Sequence, residues 1–449
     1  MANSPQNLLL GPDDPIKKSE AGLLGLQHVL AMDVYVPSMV LALMLALPTG
    51  AKTDLLQVTF LAAGIGTFLQ TVIFMKIPLS QGPSFVPLTA AATTVLAAPN
   101  LQSGMSNLLG ACLIGALLLI ILGASGIFYR VIQKLVPPIV GGTIITCVGL
   151  SLIPTALQSN IFQAPGPKME NIFLAGITAL TLLTMITLSL HFPRGQRILR
   201  TGAIISALLI GTLCATFLGR FNWQSVQKAP WLSWPHGTVL HYGVSFSPTA
   251  ILTFLIIYLI LVTETTGTWF AMSAVIQKPI AARQWNRGLI GEGVSCLMAA
   301  FLGTTPVTSY STNAGIVSIT GVASKRVFWA ASIWFLILGF GTKIAAFLAA
   351  IPAPVIGGVF TIICVTIMLN GLRVIRPLPE REGDLYIIGV PLIITLALIF
   401  LPPALLKKAP FLLQVFCGSP IAVSALVAMV LNLIMVPKSK AKTSHPAAN

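Results

Sequence analysis

Charge is what this sequence has least of. Asp, Glu, Lys and Arg make up 8% of its 449 residues, against roughly 25% in soluble domains, and only 11 are acidic. So few solvated groups exclude an ordinary soluble globular chain. Histidine is scarce as well, with five in all, and neither an HExxH nor a GxSxG string occurs; the common zinc-hydrolase and nucleophile-elbow chemistries therefore have no foothold. The six cysteines (Cys112, Cys147, Cys214, Cys296, Cys364, Cys417) are scattered through apolar runs without CxxC spacing. They read as small packing residues, not as a disulfide frame or a metal site. No cleavable secretory leader is expected, because the first 20 residues are polar and include Asp13, Asp14 and Glu20. Neither a cofactor nor an enzymatic activity is expected.

What is present is hydrophobic length. Residues of the apolar class account for 55% of the chain, and runs of about 20, the length that crosses a bilayer as a helix, fall near 22–47, 54–75, 106–128, 133–154, 171–191, 201–219, 245–276, 286–302, 327–350, 352–370, 384–402 and 411–436. Two further stretches, IPLSQGPSFVPLTAAATTVL (77–96) and GTTPVTSYSTNAGIVSITGVASKR (303–326), break this pattern with polar residues, Gly and Pro. Counting each as a broken span predicts 14 spans in an all-α polytopic membrane protein. A membrane barrel would instead need short alternating strands.

The net charge of +15 finds its explanation in where the basic residues fall. With a cytoplasmic N-terminus, 14 crossings place most of them, from Lys17 and Lys18 through Arg194, Arg197 and Arg200 to Lys438, Lys440 and Lys442, on one side. Both termini are then cytoplasmic by the positive-inside rule, and no nucleic-acid partner is needed. The tail 437–449 is basic and polar, suited to weak attraction by anionic lipid.

An internal repeat is visible. PPIVGGTIITCVG (137–149) returns as APVIGGVFTIICVT (353–366), with Gly141–Gly142 answered by Gly357–Gly358 and Leu122–Gly123 by Leu338–Gly339. Each half holds seven spans, an odd number, so the second half enters the membrane from the opposite side. This predicts an inverted repeat with the working site near the midplane.

The broken segments occupy corresponding places in the two halves. Irregular backbone at bilayer depth survives only where it lines a protein cavity, and short helices starting there aim their N-terminal N–H groups inward. Ser84 and Phe85 supply one such end; Ser311, Thr312 and Asn313 supply the other. Phe85 also offers a face on which a flat ring can stack. Ionisable residues inside spans are costly and functional by default. Glu264, in LVTETTGTWFAMS, is the strongest candidate, able to accept ring N–H groups of a heterocycle and to carry a proton. His28, with Gln27 beside it in GLLGLQHVLAM, is a second; Asp33 lies five residues on, about 140° around the helix. Glu292, in GLIGEGVSC, leads into the second broken segment and is a candidate either to tie it in place or to join a proton path.

Several of these strings match a known pattern. STNAGIVSITGVASK (311–325) resembles the signature of the nucleobase-ascorbate transporter family, also called nucleobase cation symporter 2 or the xanthine/uracil permeases, with Asn313, Gly315 and Thr320 on its fixed positions. GLQHVLAM (25–32), QGPSFVPL (81–88) and TETTG (263–267, with Gly267) are similar to its first-, third- and eighth-span motifs. The resemblance covers residues 20–436.

It implies a core domain of spans 1–4 and 8–11 (20–128 and 244–350) and a gate domain of spans 5–7 and 12–14 (129–243 and 351–436), flanked by cytoplasmic tails 1–19 and 437–449. Spans 3 and 10 would each be a short strand plus a half-helix. Glu264 takes the place of the substrate-binding carboxylate, Phe85 that of the third-span contact and His28 that of the structural or proton-linked histidine. The implied activity is symport of a nucleobase with a proton, rather than sodium, across the inner membrane, in a homodimer joined through the gate domain. Thr312 departs from the usual Gln or Glu, Thr268 from an acidic residue of some purine carriers, and Asp33 is unusual for the first span. Thr320–Gly321 favours an oxidised purine such as xanthine or urate over uracil. The rival from another class is an anion carrier or channel of similar fold, against which the negative Glu264 speaks.

Overall fold

The structure is a computed structural model that describes residues 8, 10–32, 34–192, 199, 202–236, 238–310, 313, 317, 321–376, 382–402 and 420–435. Asp33, Ser311, Thr312, Gly315, Thr320 and the tail 437–449 lie outside the described residues.

Helices dominate. The first expected span is two helices, α1 (Lys18–Ala31) and α2 (Tyr35–Met44). The two together remain one candidate span, Lys18–Met44. Next come α3 (Thr49–Phe68), extended by a wider turn over Leu69–Phe74, the strand β1 (Gln81–Pro83), α4 (Leu88–Leu96) and α5 (Leu101–Ala124). Then follow α6 (Phe128–Leu135), α7 (Pro138–Ser151) with a wide-turn continuation over Thr155–Phe162, α8 (Lys168–His191), α9 (Ala203–Phe217), α10 (Trp223–Lys228) and α11 (Val239–Tyr242). The second half supplies α12 (Pro248–Val275), α13 (Ala282–Leu302), β2 (Val307–Ser309), α14 (Lys325–Phe340), α15 (Thr342–Ala350), α16 (Ala353–Ile375), α17 (Asp384–Ile399) and α18 (Pro420–Met435).

Seven helices among the described residues are long and apolar enough to cross a membrane, eight if the pair α14 and α15 is one span. That pair, expected as the single run 327–350, bends by 74° at Gly341. The main-chain carbonyls released by the bend are not left bare: Gln57 Nε2 of α3 donates to Gly339 O at 3.1 Å, and the Ser233 N–H donates to Phe340 O at 3.3 Å. α9, α17 and the stretch Val423–Met435 are apolar but shorter.

Packing sorts the helices by neighbour. α3 lies against α14, α13 and α15, α5 against α13 and α12, and α1 against α14. α7, α8 and α18 pack around α16 and α17, while α12 on α7 and α2 on α16 join the two sets. The repeated glycines serve this close approach. A Cβ on Gly142 would stand 2.7 Å from Gly371 O, and one on Gly149 2.7 Å from Cys364 O, so α7 and α16 meet backbone to backbone. Gly358, the repeat partner of Gly142, meets the main chain of Ala175 in α8 instead, whereas Gly141 has only ordinary contact with Val136: repeated sequence here does not secure the same partner.

Candidate functional site

β1 and β2 pair antiparallel in the interior, with Gln81 opposite Ser309, Gly82 opposite Thr308 and Pro83 opposite Val307. The pairing continues at both ends, through Ser84 N–H to Pro306 O and Tyr310 N–H to Ser80 O, each at 3.0 Å. Main-chain groups that no water can reach are thus satisfied by the other half of the chain, the condition for extended backbone at membrane depth. Gly82 is required for this contact, because a Cβ there would fall 2.5 Å from Cε2 of Tyr310, whose hydroxyl in turn donates to Pro83 O at 3.2 Å.

Glu264, on α12, reaches this crossing. Its Oε2 accepts the Ser84 hydroxyl at 2.6 Å, the Thr308 hydroxyl lies beside it, and its side chain remains partly accessible. The Ser84 oxygen also accepts the Val86 N–H at 3.0 Å. This fixes the turn into α4, which starts at Leu88 without a side-chain cap. Phe85 lies next in the same turn, and its ring is stacked on Phe360 of α16, centroids 5.7 Å apart and planes 16° from parallel. An aromatic face predicted to hold a flat ring is therefore covered by a ring of the protein itself.

Glu292, on α13, is 1% exposed and surrounded by donors. Oε2 accepts Nε2 of Gln70 and Nε2 of Gln81, both at 2.8 Å. Oε1 accepts the Thr265 hydroxyl at 2.5 Å and the Ser309 N–H at 3.0 Å. Gln81 Nε2 and Trp269 Nε1 also converge on the Ser309 hydroxyl, at 2.8 and 2.9 Å. One carboxylate thereby ties α3, both strands and the turn of α12 that follows Glu264.

His28 is buried on α1, its ring 4.5 Å from that of Phe328, and it lies beside Asn313. Asn313 Nδ2 donates to Pro78 O at 3.0 Å, joining the second broken segment to the first. His28 Nε2 and Asn313 Oδ1 are both buried without a hydrogen-bond partner among the described residues. Gln27 is half-buried on α1, and Gly267 faces Ile145 of α7, where a Cβ would stand 3.1 Å from Cδ1. The structure therefore gathers Ser84, Phe85, Glu264 and Glu292 around the strand pair, with Asn313 and His28 linked to it through Pro78. The sequence reading passed over Gln70, Gln81, Thr265, Trp269 and Ser309. A lone Gln70 in the apolar run TFLQTVIF is the kind of signal that had singled out His28.

Long apolar helices surround an interior crossing of two broken segments with a carboxylate at the crossing, the build of a multi-pass membrane protein. The chain belongs to the nucleobase-ascorbate transporter, or xanthine/uracil permease, family: the family model Xan_ur_permease, described as "Permease family", matches residues 19–404. The uric acid permease PucK of Bacillus subtilis (strain 168) is 27% identical over 433 residues, covering 93% of this chain and 95% of that protein. The xanthine permease XanQ of Escherichia coli (strain K12) is 28% identical over 427 residues, covering 91% and 89%. Among solved structures, the transmembrane domain of a cyanobacterium bicarbonate transporter, BicA, superposes with a TM-score of 0.57 at 14% identity over 94% of this chain and 100% of that one. SLC26A9 gives 0.61 at 14% identity over 94% and 66%. At that identity the likeness is one of fold, and fold alone does not choose a substrate.

Proposed function

We propose that this protein moves an oxidised purine, xanthine or urate, across the cytoplasmic membrane together with a proton by alternating access. The observation that carries the reading is Glu264, a partly accessible carboxylate held by Ser84 where the two broken segments cross. The side chain has acceptor capacity to spare, and a planar heterocycle presents ring N–H groups that suit it. The relatives named as uric acid and xanthine permeases favour a purine.

Ser84 positions the carboxylate, Phe85 stacks on the base once Phe360 withdraws, and the N-terminal turns that contain Ser84–Phe85 and Ser311–Asn313 contribute main-chain donors. The proton binds and leaves at Glu264, with His28 as its exchange partner beside Asn313. Glu292 keeps the strand crossing in register. α1 to α5 with α12 to α15 (20–128 and 244–350) act as the core that moves against a gate made of α6 to α11 and α16 to α18 (129–243 and 351–436). The 14 spans, cytoplasmic termini and gate-mediated homodimer belong to the same reading. Movement of the core separates Phe85 from Phe360, so the stack closes the empty site and opens for the substrate.

Uptake of labelled xanthine, urate, uracil, guanine and hypoxanthine, with and without a proton gradient, tests the reading. Xanthine or urate should enter best, only with the gradient, and Glu264→Gln should lose uptake by about 100-fold, the loss expected when charged hydrogen bonds to a ligand are weakened. Undiminished uptake by that variant would remove Glu264 from its assigned role.

A further inference from the structure

Residues 10–16, expected within a cytoplasmic tail (1–19), are bound to the protein. The Leu10 N–H donates to Gly321 O at 3.0 Å, and the Ala323 N–H returns a bond to Leu10 O at 2.8 Å, forming a parallel bridge between Leu10 and Val322. Lys325 N–H donates to Pro12 O at 3.0 Å, and Arg326 Nη1 to Ile16 O at 3.4 Å. Asp13 pairs with Lys325, and with Lys278 at 3.7 Å. Ile16 is buried in the core, and Leu8 and Leu10 pack against it.

Gly321 lies in the last part of the second broken segment (303–326). Its N–H donates to Val317 O at 2.8 Å, and its φ of +67° is the left-handed conformation that stops a helix. The carbonyls beyond such an end have no partner within the helix. Here the Leu10 N–H caps the Gly321 carbonyl from outside. Lys278 follows α12, which carries Glu264, and precedes α13, which carries Glu292, so Asp13 joins that connection to the exit of the broken segment.

We infer that residues 10–16 are a permanent positioning strap for the substrate site: they cap and hold the far end of the second broken segment so that its near end, at Asn313, stays aligned with β1. A strap that opened with each cycle would need its two sides to move apart. These do not, because α1 continues the strap and packs directly on α14, where a Cβ on Gly25 would lie 2.8 Å from Ala331 N. Losing the strap reduces the fraction of chains with an aligned site, and apparent affinity falls by that fraction. The expected signature is a raised KM at unchanged membrane abundance.

The inference rests on the nucleobase reading for its uptake assay only, and a separate measurement tests the contact. Cysteines at Leu10 and Val322 of the full chain, in isolated membranes treated with an added thiol oxidant such as copper(II)-phenanthroline that takes up the two electrons, should form a disulfide, seen as the loss of labelling of both thiols, and the bridged chain should keep its uptake. Deletion of residues 2–16 should raise the KM for xanthine or urate about tenfold, the scale of losing more than one hydrogen bond. If the truncated chain fails to reach the membrane, Leu10→Pro, which removes the N–H that Gly321 O accepts, should raise KM about fivefold, while Leu10→Ala, which keeps that N–H and removes only side-chain packing, should raise it less. Asp13→Lys should raise KM as well, and Lys325→Asp added to it should restore the value. A KM unchanged in all these variants, no disulfide, or a bridged chain that no longer transports would each overturn the strap. Wild-type chains that carry neither base would instead overturn the function proposed above while leaving the disulfide result intact.

Discussion

Glu264 and Glu292 are the same residue on successive helices, yet their surroundings differ in kind. Glu292 accepts from Gln70, Gln81, Thr265 and the Ser309 main chain, and both its oxygens are engaged. Glu264 accepts the Ser84 hydroxyl, has Thr308 beside it, and stays partly accessible. A buried carboxylate surrounded by donors holds a structure together; one with lone pairs to spare can hold something that comes and goes. Chemical type alone does not separate the two surroundings; the number of donors within reach does.

The contrast can be broken most forcefully at Glu292. Glu292→Ala strands the amide and hydroxyl groups of α3, α12 and both strands, and should destabilise the fold by about 3–5 kcal/mol, the cost of removing one member of a buried charged network. Low membrane abundance and a depressed Tm in detergent would register this, and a normal Tm would deny Glu292 its structural role. At Glu264 the expectation reverses. Glu264→Gln keeps an oxygen for Ser84, so the Tm should shift by less than the equivalent of about 1 kcal/mol while uptake falls; a collapse of the fold would show the two acids to be alike.

Gly82→Ala sharpens the comparison by disturbing the strands without touching either carboxylate. Its methyl meets the Tyr310 ring, and overpacking of this kind costs about 1–3 kcal/mol. Tm and KM should both worsen, because the strand pair positions Ser84 as well as Gln81. The smallest effect lies at Asp13, on the surface. Lys325 beside it holds its carboxyl below the usual carboxylate range. That contribution is present above the unfolded pKa and is lost as pH falls through the lower folded value. Asp13→Asn should therefore lower the Tm slightly at neutral pH, by a few tenths of a kcal/mol or less given its exposure, and the difference from wild type should disappear in acid and shrink with salt.

The class of fold was legible because it follows from composition and run length: twenty apolar residues in sequence have few places to go but a bilayer. The interruptions were legible for the same reason, since QGP and VTS lie where a continuous helix would otherwise run. A finer break escaped notice. The run 22–47 read as a single span and stays one candidate span, Lys18–Met44, whereas the run 327–350 is bent by 74° at Gly341, a bend supported by Gln57 and the Ser233 loop from far along the chain. The N-terminal residues read as a tail because their polarity is visible, whereas the main-chain bonds they make with Gly321 and Ala323 are independent of side-chain type.

The sequence by itself determined that polar groups would be buried among apolar helices and named the costly ones, Glu264, Glu292 and His28, because desolvation attaches to residue type. It could not determine which of them would be saturated. That depended on Gln81 meeting Ser309 across 228 positions and on Gln70 reaching Glu292 across 222. Hydrogen bonds require donor and acceptor at the right distance and angle, and only the packed chain brings such distant residues within reach.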